Sequence, residues 1–156
     1  MTPATIRPLP RTDAARLEPL LAAYAAEMRG VLAGADIASP AAQSALLSSH
    51  TAAEILVAEQ DGIAIGFAIL FDLPEIVFAR RCGHLDDVFV LPAARGRGVA
   101  RALIDAACEL GRARGWSHLR WIVPAEDAAA IALYERIAAR ADWRSYVIRL
   151  DPAGSL

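Results

Sequence analysis

Apolar positions along the chain change period several times, and each change marks an element. Residues 5–9 form a short β-type run. After Thr12 and Asp13, either of which can cap a helix, Leu17, Leu20, Leu21, Tyr24 and Met28 fall on one helical stripe. Pro19 interrupts that stretch, and a proline beyond the first turn kinks or restarts a helix, so an irregular start is expected. Ser39 before Pro40 begins a second helix over 41–49. Residues 54–60 and 63–71 are β-rich runs joined by Asp61 and Gly62, which accept the positive dihedrals of a tight hairpin turn. A further strand is expected over 85–90. Past a bend at 92–98, Val99, Leu103, Ala106, Ala107 and Leu110 share one face of a helix over 99–114 that ends at Gly115. Strand 119–123, helix 128–140 and strand 143–150 complete the prediction. The order implies an α/β (α+β) fold with a mixed central sheet flanked by helices.

Composition narrows the chemistry. The 156 residues suffice for one domain over 1–156 with a real core. The apolar run 63–71 is nine residues and contains Gly66, whereas a membrane-spanning helix needs about 20. Pro3, Arg7, Pro8, Pro10, Arg11 and Asp13 stand where an apolar leader would, so the expected location is the cytoplasm. All 16 cationic side chains are Arg. Without Lys there is neither Schiff-base catalysis nor a phosphate loop of the Gly-Lys-Ser/Thr type. A net charge of -2 argues against nucleic acid as a partner. Cys82 and Cys108 lie far apart and His50, His84 and His118 are scattered, so no metal site is expected and the cysteines read as small buried apolar groups.

The informative stretch is Asp87-Val-Phe-Val-Leu-Pro-Ala-Ala-Arg-Gly-Arg-Gly-Val-Ala-Arg101, a strand that passes through an Arg/Gly loop directly into a helix. The first amides of a helix lack partners and sit at its positive end, while Gly96 and Gly98 carry no Cβ to hold an anion off. Arg95, Arg97 and Arg101 add charge. A dinucleotide site would need a third glycine where Arg101 stands. An ordinary glycine turn with solvated arginines is the plain alternative.

The segment Val88-x-Val90-x-Pro92-x-x-Arg95-Gly96-Arg97-Gly98-Val99-Ala100 resembles the cofactor motif of the GNAT superfamily of acetyl-coenzyme A-dependent N-acetyltransferases, Arg/Gln-x-x-Gly-x-Gly/Ala. A second family element, Asn-x-x-Ala-x-x-Leu-Tyr, is recognisable as Asp127-Ala-Ala-Ala130-Ile-Ala-Leu133-Tyr134. The resemblance spans about residues 5–150 and is strongest over 85–134. It implies a GNAT fold with helices on both sheet faces and acetyl-CoA as cosubstrate, without a metal. The pyrophosphate would rest on the amides of Arg95, Gly96, Arg97, Gly98, Val99, Ala100 and Arg101. The pantetheine arm would lie along Val88, Phe89 and Val90, which requires strand 119–123 to splay away. Asp127, Ala130 and Tyr134 complete the cofactor set, and family habit implies a homodimer.

Transfer to an amine needs one group to take a proton and another to give one. Tyr134 occupies the register of the family's acid; taken alone it reads as a core aromatic with Ile131 and Ile137 one turn away. For the base, simple alternation puts Asp86 with His84 and Val88, and Asp87 with Leu85 and Phe89. Leu85-Asp86-Asp87-Val88-Phe89-Val90 resembles a run in diamine and polyamine acetyltransferases whose first acid corresponds to Asp86, so Asp86 is the expected base. His84, a residue type that titrates near neutrality, is the alternative, and pairing of the acids with Arg80 or Arg81 is the structural one.

Two departures stand out. Asp127 replaces the usual Asn, which puts an anion near the cofactor; it can still accept a hydrogen bond or cap the helix that follows. Residues 137–140 replace the usual Gly-Phe, while Asp142-Trp143-Arg144 is similar to a Gly-Trp-Arg segment of polyamine acetyltransferases, with Trp143 expected in the core. Asp36, Asp72, Glu75, Asp86 and Asp87 suggest an acidic mouth for a small amine such as a diamine or polyamine. A protein amino terminus or lysine is the alternative acceptor, and a catalytically silent CoA-binding module is the rival class.

Overall fold

Alternation along the strands sends Leu9, Ile55, Val57, Phe67, Ile69 and Phe89 to one side of a sheet and Leu56, Ala58, Ala68, Leu70, Leu85 and Val90 to the other. Each side is covered by helices, which makes two buried clusters instead of one. The computed structural model describes residues 2–32, 36–148 and 150. Within them the strands are β1 (Thr5–Leu9), β2 (Ala53–Gln60), β3 (Ile63–Glu75), β4 (Arg80–Val90) and β5 (Leu119–Arg120). They lie in the order β1-β2-β3-β4-β5; the first four are antiparallel neighbours and β5 runs parallel to β4. Helices α1 (Glu18–Val31) and α2 (Pro40–Ser49) cover the first face, and α3 (Val99–Ala113) and α4 (Ala128–Ile137) the second.

The irregular start expected at Pro19 is a 3-10 segment, Arg11–Leu17, after which α1 begins with Pro19 in its first turn, where a missing amide breaks no helical bond. Ser39 caps α2 by accepting from the Ala42 amide at 3.2 Å. The strands on either side of residues 76–79 extend well beyond the predicted 63–71 and 85–90, because β3 and β4 pair out to Glu75 and Arg80 as a long two-stranded arm. Three predictions at the carboxyl end are corrected. The strand expected over 119–123 has only two paired residues, the helix expected to reach Arg140 ends at Ile137, and 143–148 form no strand. Trp143, expected in the core, is 86% exposed. The segment is rich in β-forming residues, but no partner edge meets it among the described residues. No helix among them is long and apolar enough to cross a membrane.

Two features of β4 position the site. Ile69 pairs with Asp87 but Leu70 pairs with Leu85, so Asp86 is an extra residue, a β-bulge. The bulge reverses the alternation. Leu85 and Asp87, expected on one side, face opposite ones: Leu85 joins the α3 cluster, while Asp87 reaches α1 beside Phe89. At the same place β5 leaves β4, pairing with Gly83 and His84 only. Beyond His84 that edge of β4 has no strand partner among the described residues.

The junction is pinned by Trp116, whose ring sits against Gly83 and Gly111. A Cβ on Gly83 would lie 2.3 Å from the Trp116 ring and 2.8 Å from Leu119. Gly83→Ala should therefore destabilise the fold by about 1–3 kcal/mol, an overpacking cost. The expected fall in Tm in a thermal melt is about 2–10 °C; an unchanged Tm would show that the ring can move aside.

Candidate active site

The loop between β4 and α3 is built for close approach to its backbone. Gly96 and Gly98 hold φ of +73° and +80°, conformations that residues with a Cβ rarely adopt, and nothing lies within 4 Å of where a Cβ would be. Gly98 is the residue before α3, and no side chain caps the helix there. The helical ladder starts with the Ala102 amide donating to Gly98 O at 2.9 Å. The amides of Val99, Ala100 and Arg101 thus precede the helix's own hydrogen bonds and face outward at its positive end. This cradle fits a phosphate group, and the unpaired β4 edge that begins at Leu85 leads into it.

The predicted cationic side chains divide. Arg95 turns from the cradle toward the first face: its Nε donates to Val90 O at 2.9 Å, its guanidinium pairs with Glu27 of α1, and it lies 5.6 Å over the Phe89 ring. It ties α1 to the loop, and its backbone amide, expected to meet the pyrophosphate, donates to Pro92 O at 3.3 Å. Arg101 pairs with Asp105 one turn along α3, at 2.9 Å. Asp127 caps α4 by accepting from the Ala130 amide at 3.0 Å, so this carboxylate and Ala130 set the start of the helix that carries Tyr134. Val88 and Val90 face the α3 side, whereas Phe89 faces α1.

Around the bulge the titratable groups converge from three elements. Asp87 is half-buried and its Oδ1 accepts a 2.6 Å hydrogen bond from the Tyr24 hydroxyl. Burial pushes the Asp87 carboxyl above its usual range, the Tyr24 hydrogen bond opposes this, and neighbouring Asp86 adds to the rise. Burial and Asp87 likewise push the Tyr24 phenol up. Tyr134 packs on the second-face cluster with its ring 5.3 Å from Trp121 in a T-shaped contact. Burial, then Asp127, raise its phenol, so it holds its proton at neutral pH. Asp86, the base expected from the resemblance to diamine and polyamine acetyltransferases, has a side chain 50% exposed, 3.6 Å from His84. Asp87 therefore lies on the α1 side of β4, and Tyr134 packs in the cluster on the other side of the sheet.

Sequence reasoning missed Tyr24. It was placed on the core stripe of α1, and no local motif links it to a strand 63 residues away. The acidic mouth shrinks as well: Asp72 pairs with Arg81 at 2.7 Å and Glu75 with Arg80 at 2.6 Å, both on the β3–β4 arm. The fold also gathers Glu75, Cys82 and His118, whose ligand atoms lie within 4.8 Å of one another although their spacing gave no hint of it. Arg80 and Arg120 hold Glu75 there, keeping its carboxyl below the usual range, while burial raises the Cys82 thiol. Cys82 is buried as expected and Cys108 half-buried.

A sequence profile of the Acetyltransferase (GNAT) family matches residues 18–139, which include the cradle, the bulge and both tyrosines. The chain belongs to the GNAT acetyltransferase family. The uncharacterized N-acetyltransferase YhfO of Bacillus subtilis is 33% identical over 133 residues, 84% of this chain and 86% of that protein. Glucosamine 6-phosphate N-acetyltransferase of Trypanosoma brucei brucei is 33% identical over 58% of each chain. The crystal structure of ribosomal-protein-alanine N-acetyltransferase from Brucella melitensis biovar Abortus 2308 superposes with a TM-score of 0.83 at 38% identity, covering 96% of this chain and 100% of that one. The mixed five-stranded sheet with helices on both faces is the GNAT fold, and this GNAT protein is an acyltransferase of the N-acetyltransferase type.

The raised Asp87 carboxyl has a consequence for stability. A carboxyl that binds its proton more tightly when folded favours the fold at low pH, and that contribution is lost as pH rises through its folded pKa. The Tm difference between Asp87→Asn and the unaltered protein should therefore be more positive at pH 8 than at pH 4.5. Equal differences at the two pH values in thermal melts would contradict a raised Asp87.

Proposed function

We propose that the protein transfers the acetyl group of acetyl-CoA to a primary amine at the open edge of β4: Asp87 accepts the proton of the incoming ammonium, the amine forms the C–N bond as the C–S bond breaks, and Tyr134 donates its proton to the departing CoA thiolate. The observation that supports this reading is the 2.6 Å hydrogen bond from Tyr24 that holds Asp87 on the α1 side of the bulge; the donor role of Tyr134 draws on its register in the family motif. Acetyl-CoA supplies a thioester, whose acyl carbon is open to direct attack by a neutral amine. The chain's task is then to hold and deprotonate. The glycine loop and the amides of Val99, Ala100 and Arg101 hold the pyrophosphate, with Arg97 as the cationic side chain of that loop. The free edge of β4 offers backbone groups to the pantetheine amides. Asp87 is the better acceptor of the two acids, because partial burial raises its affinity for a proton while Asp86 stands in solvent. Asp86 and His84 then form the outer lip, where a carboxylate attracts a cationic acceptor.

For the acceptor, the reading best supported is the α-amine of a peptide. It draws on the 38% identity, over nearly the whole chain, to a ribosomal-protein-alanine N-acetyltransferase. A small diamine or polyamine, the expectation from sequence, keeps the support of Asp86 and Asp87 but loses that of Asp72 and Glu75, which are paired with arginines. The homodimer draws support from Ile76, Val77 and Phe78, exposed at the tip of the β3–β4 arm.

The deciding experiment is thiol release from acetyl-CoA with an alanine-initiated peptide, the same peptide N-acetylated, spermidine and putrescine. Turnover with the free peptide and none with its acetylated form is expected. Turnover with the polyamines alone would transfer the reading to small amines, and binding of acetyl-CoA with no turnover on any acceptor would make the chain a silent CoA-binding module. In the active assay, Tyr134→Phe should lower kcat by about 10²-fold with little change in acetyl-CoA affinity. A loss below about threefold would return Tyr134 to a packing role.

A further inference from the structure

We infer that Tyr24 is a positioning residue for the transfer: by donating its hydroxyl to Asp87 it fixes that carboxylate at the open edge of β4 and sets the pH at which it takes a proton. The inference rests on Asp87 being the proton acceptor proposed above. Nothing in the local motifs points to Tyr24, which lies on α1. Its ring is nevertheless fixed for the task, edge-on to Phe67 with centroids 5.8 Å apart and tilted on Phe89 at 5.3 Å. Phe67 and Phe89 are themselves buried. A phenol held by two core rings has little freedom to follow a moving partner, so its 2.6 Å hydrogen bond decides where the Asp87 carboxylate rests.

The surroundings of Asp87 make this one contact influential. From its own strand come Asp86, which favours the protonated carboxyl, and His84, which disfavours it. The facing residue on β3 is Ile69, which is apolar. From α4, Tyr134 adds to the rise of the Tyr24 phenol, and His50, just after α2, stands edge-on to Phe71, which pairs with His84. The Glu27–Arg95 pair closes the far side of Phe89. Among these, Tyr24 supplies the hydrogen bond that stabilises the carboxylate against its burial. Without it, burial acts unopposed and Asp87 holds its proton to higher pH.

Tyr24→Phe keeps the ring and removes the donor. The acid limb of kcat/KM for the acceptor should move up by about one pH unit, which is about a tenfold loss on that limb with a smaller loss on the plateau. The acceptor's own titration is common to both proteins and cancels in the difference. A 13C titration of the Asp87 carboxyl should show the same upward displacement without any assay of activity. In an Asp87→Asn background, Tyr24→Phe should leave the residual rate unchanged, since the two act as a pair. A uniform loss at every pH, or an Asp87 titration that does not move, overturns the inference. A wild-type protein inactive on every acceptor sinks the proposed function instead, and the carboxyl titration still decides whether Tyr24 controls Asp87.

Discussion

A pleated strand repeats every two residues, so neighbouring side chains go to opposite faces unless the ladder gains or loses one. β4 gains one at Asp86. That single insertion turns Asp87 toward α1 and coincides with the place where β5 stops following its neighbour. Without the bulge Asp87 would face α3 with Leu85, away from Tyr24. The glycine loop at Gly96 and Gly98 follows the end of the same strand, so the proposed anion site and the proposed proton acceptor hang on one element.

The site is held at some cost to the fold. A half-buried carboxyl beside a second acid is less stable ionised than it would be in water, and one phenol hydrogen bond offsets only part of that. The scaffold beneath it is firm: Phe67, Leu70, Leu85 and Leu103 are buried on its two faces, and Trp116 locks β4 to α3 through two glycines that leave no room for a side chain. Arg95 belongs to this scaffold more than to the ligand, because its guanidinium joins α1, the β4 carbonyl edge and Phe89. Preorganisation of a strained site by a rigid surround is the usual division of labour between activity and stability.

Much of this was readable in the sequence where the signal is local. The Asp61-Gly62 turn, the Ser39 cap and the amphipathic stripe of α3 are short-range patterns, and each stands where its residues place it. The glycine loop entering α3 and the capping role of Asp127 were legible for the same reason. What failed depends on pairing across the chain. The face of Asp87 could not be read because a bulge is set by the partner strand, here by Ile69 and Leu70 of β3. Tyr24 looked like one more apolar position of α1, since its polar end matters only once Asp87 is opposite it. The side-chain direction of Arg95 was likewise set by Glu27, far away on α1, and the segment at 143–148 has a β-rich composition that its neighbours leave unused.

The most direct test compares Asp87→Asn with Asp86→Asn in acetyl transfer at neutral pH, with acetyl-CoA binding measured alongside. The bulge makes these adjacent and chemically identical residues unequal, so Asp87→Asn should lower kcat by about 10²-fold or more, Asp86→Asn should act mainly on the acceptor KM, and both should bind acetyl-CoA normally. Equal losses of kcat, or a larger one from Asp86→Asn, would contradict an account in which one inserted residue chooses the carboxylate that takes the proton.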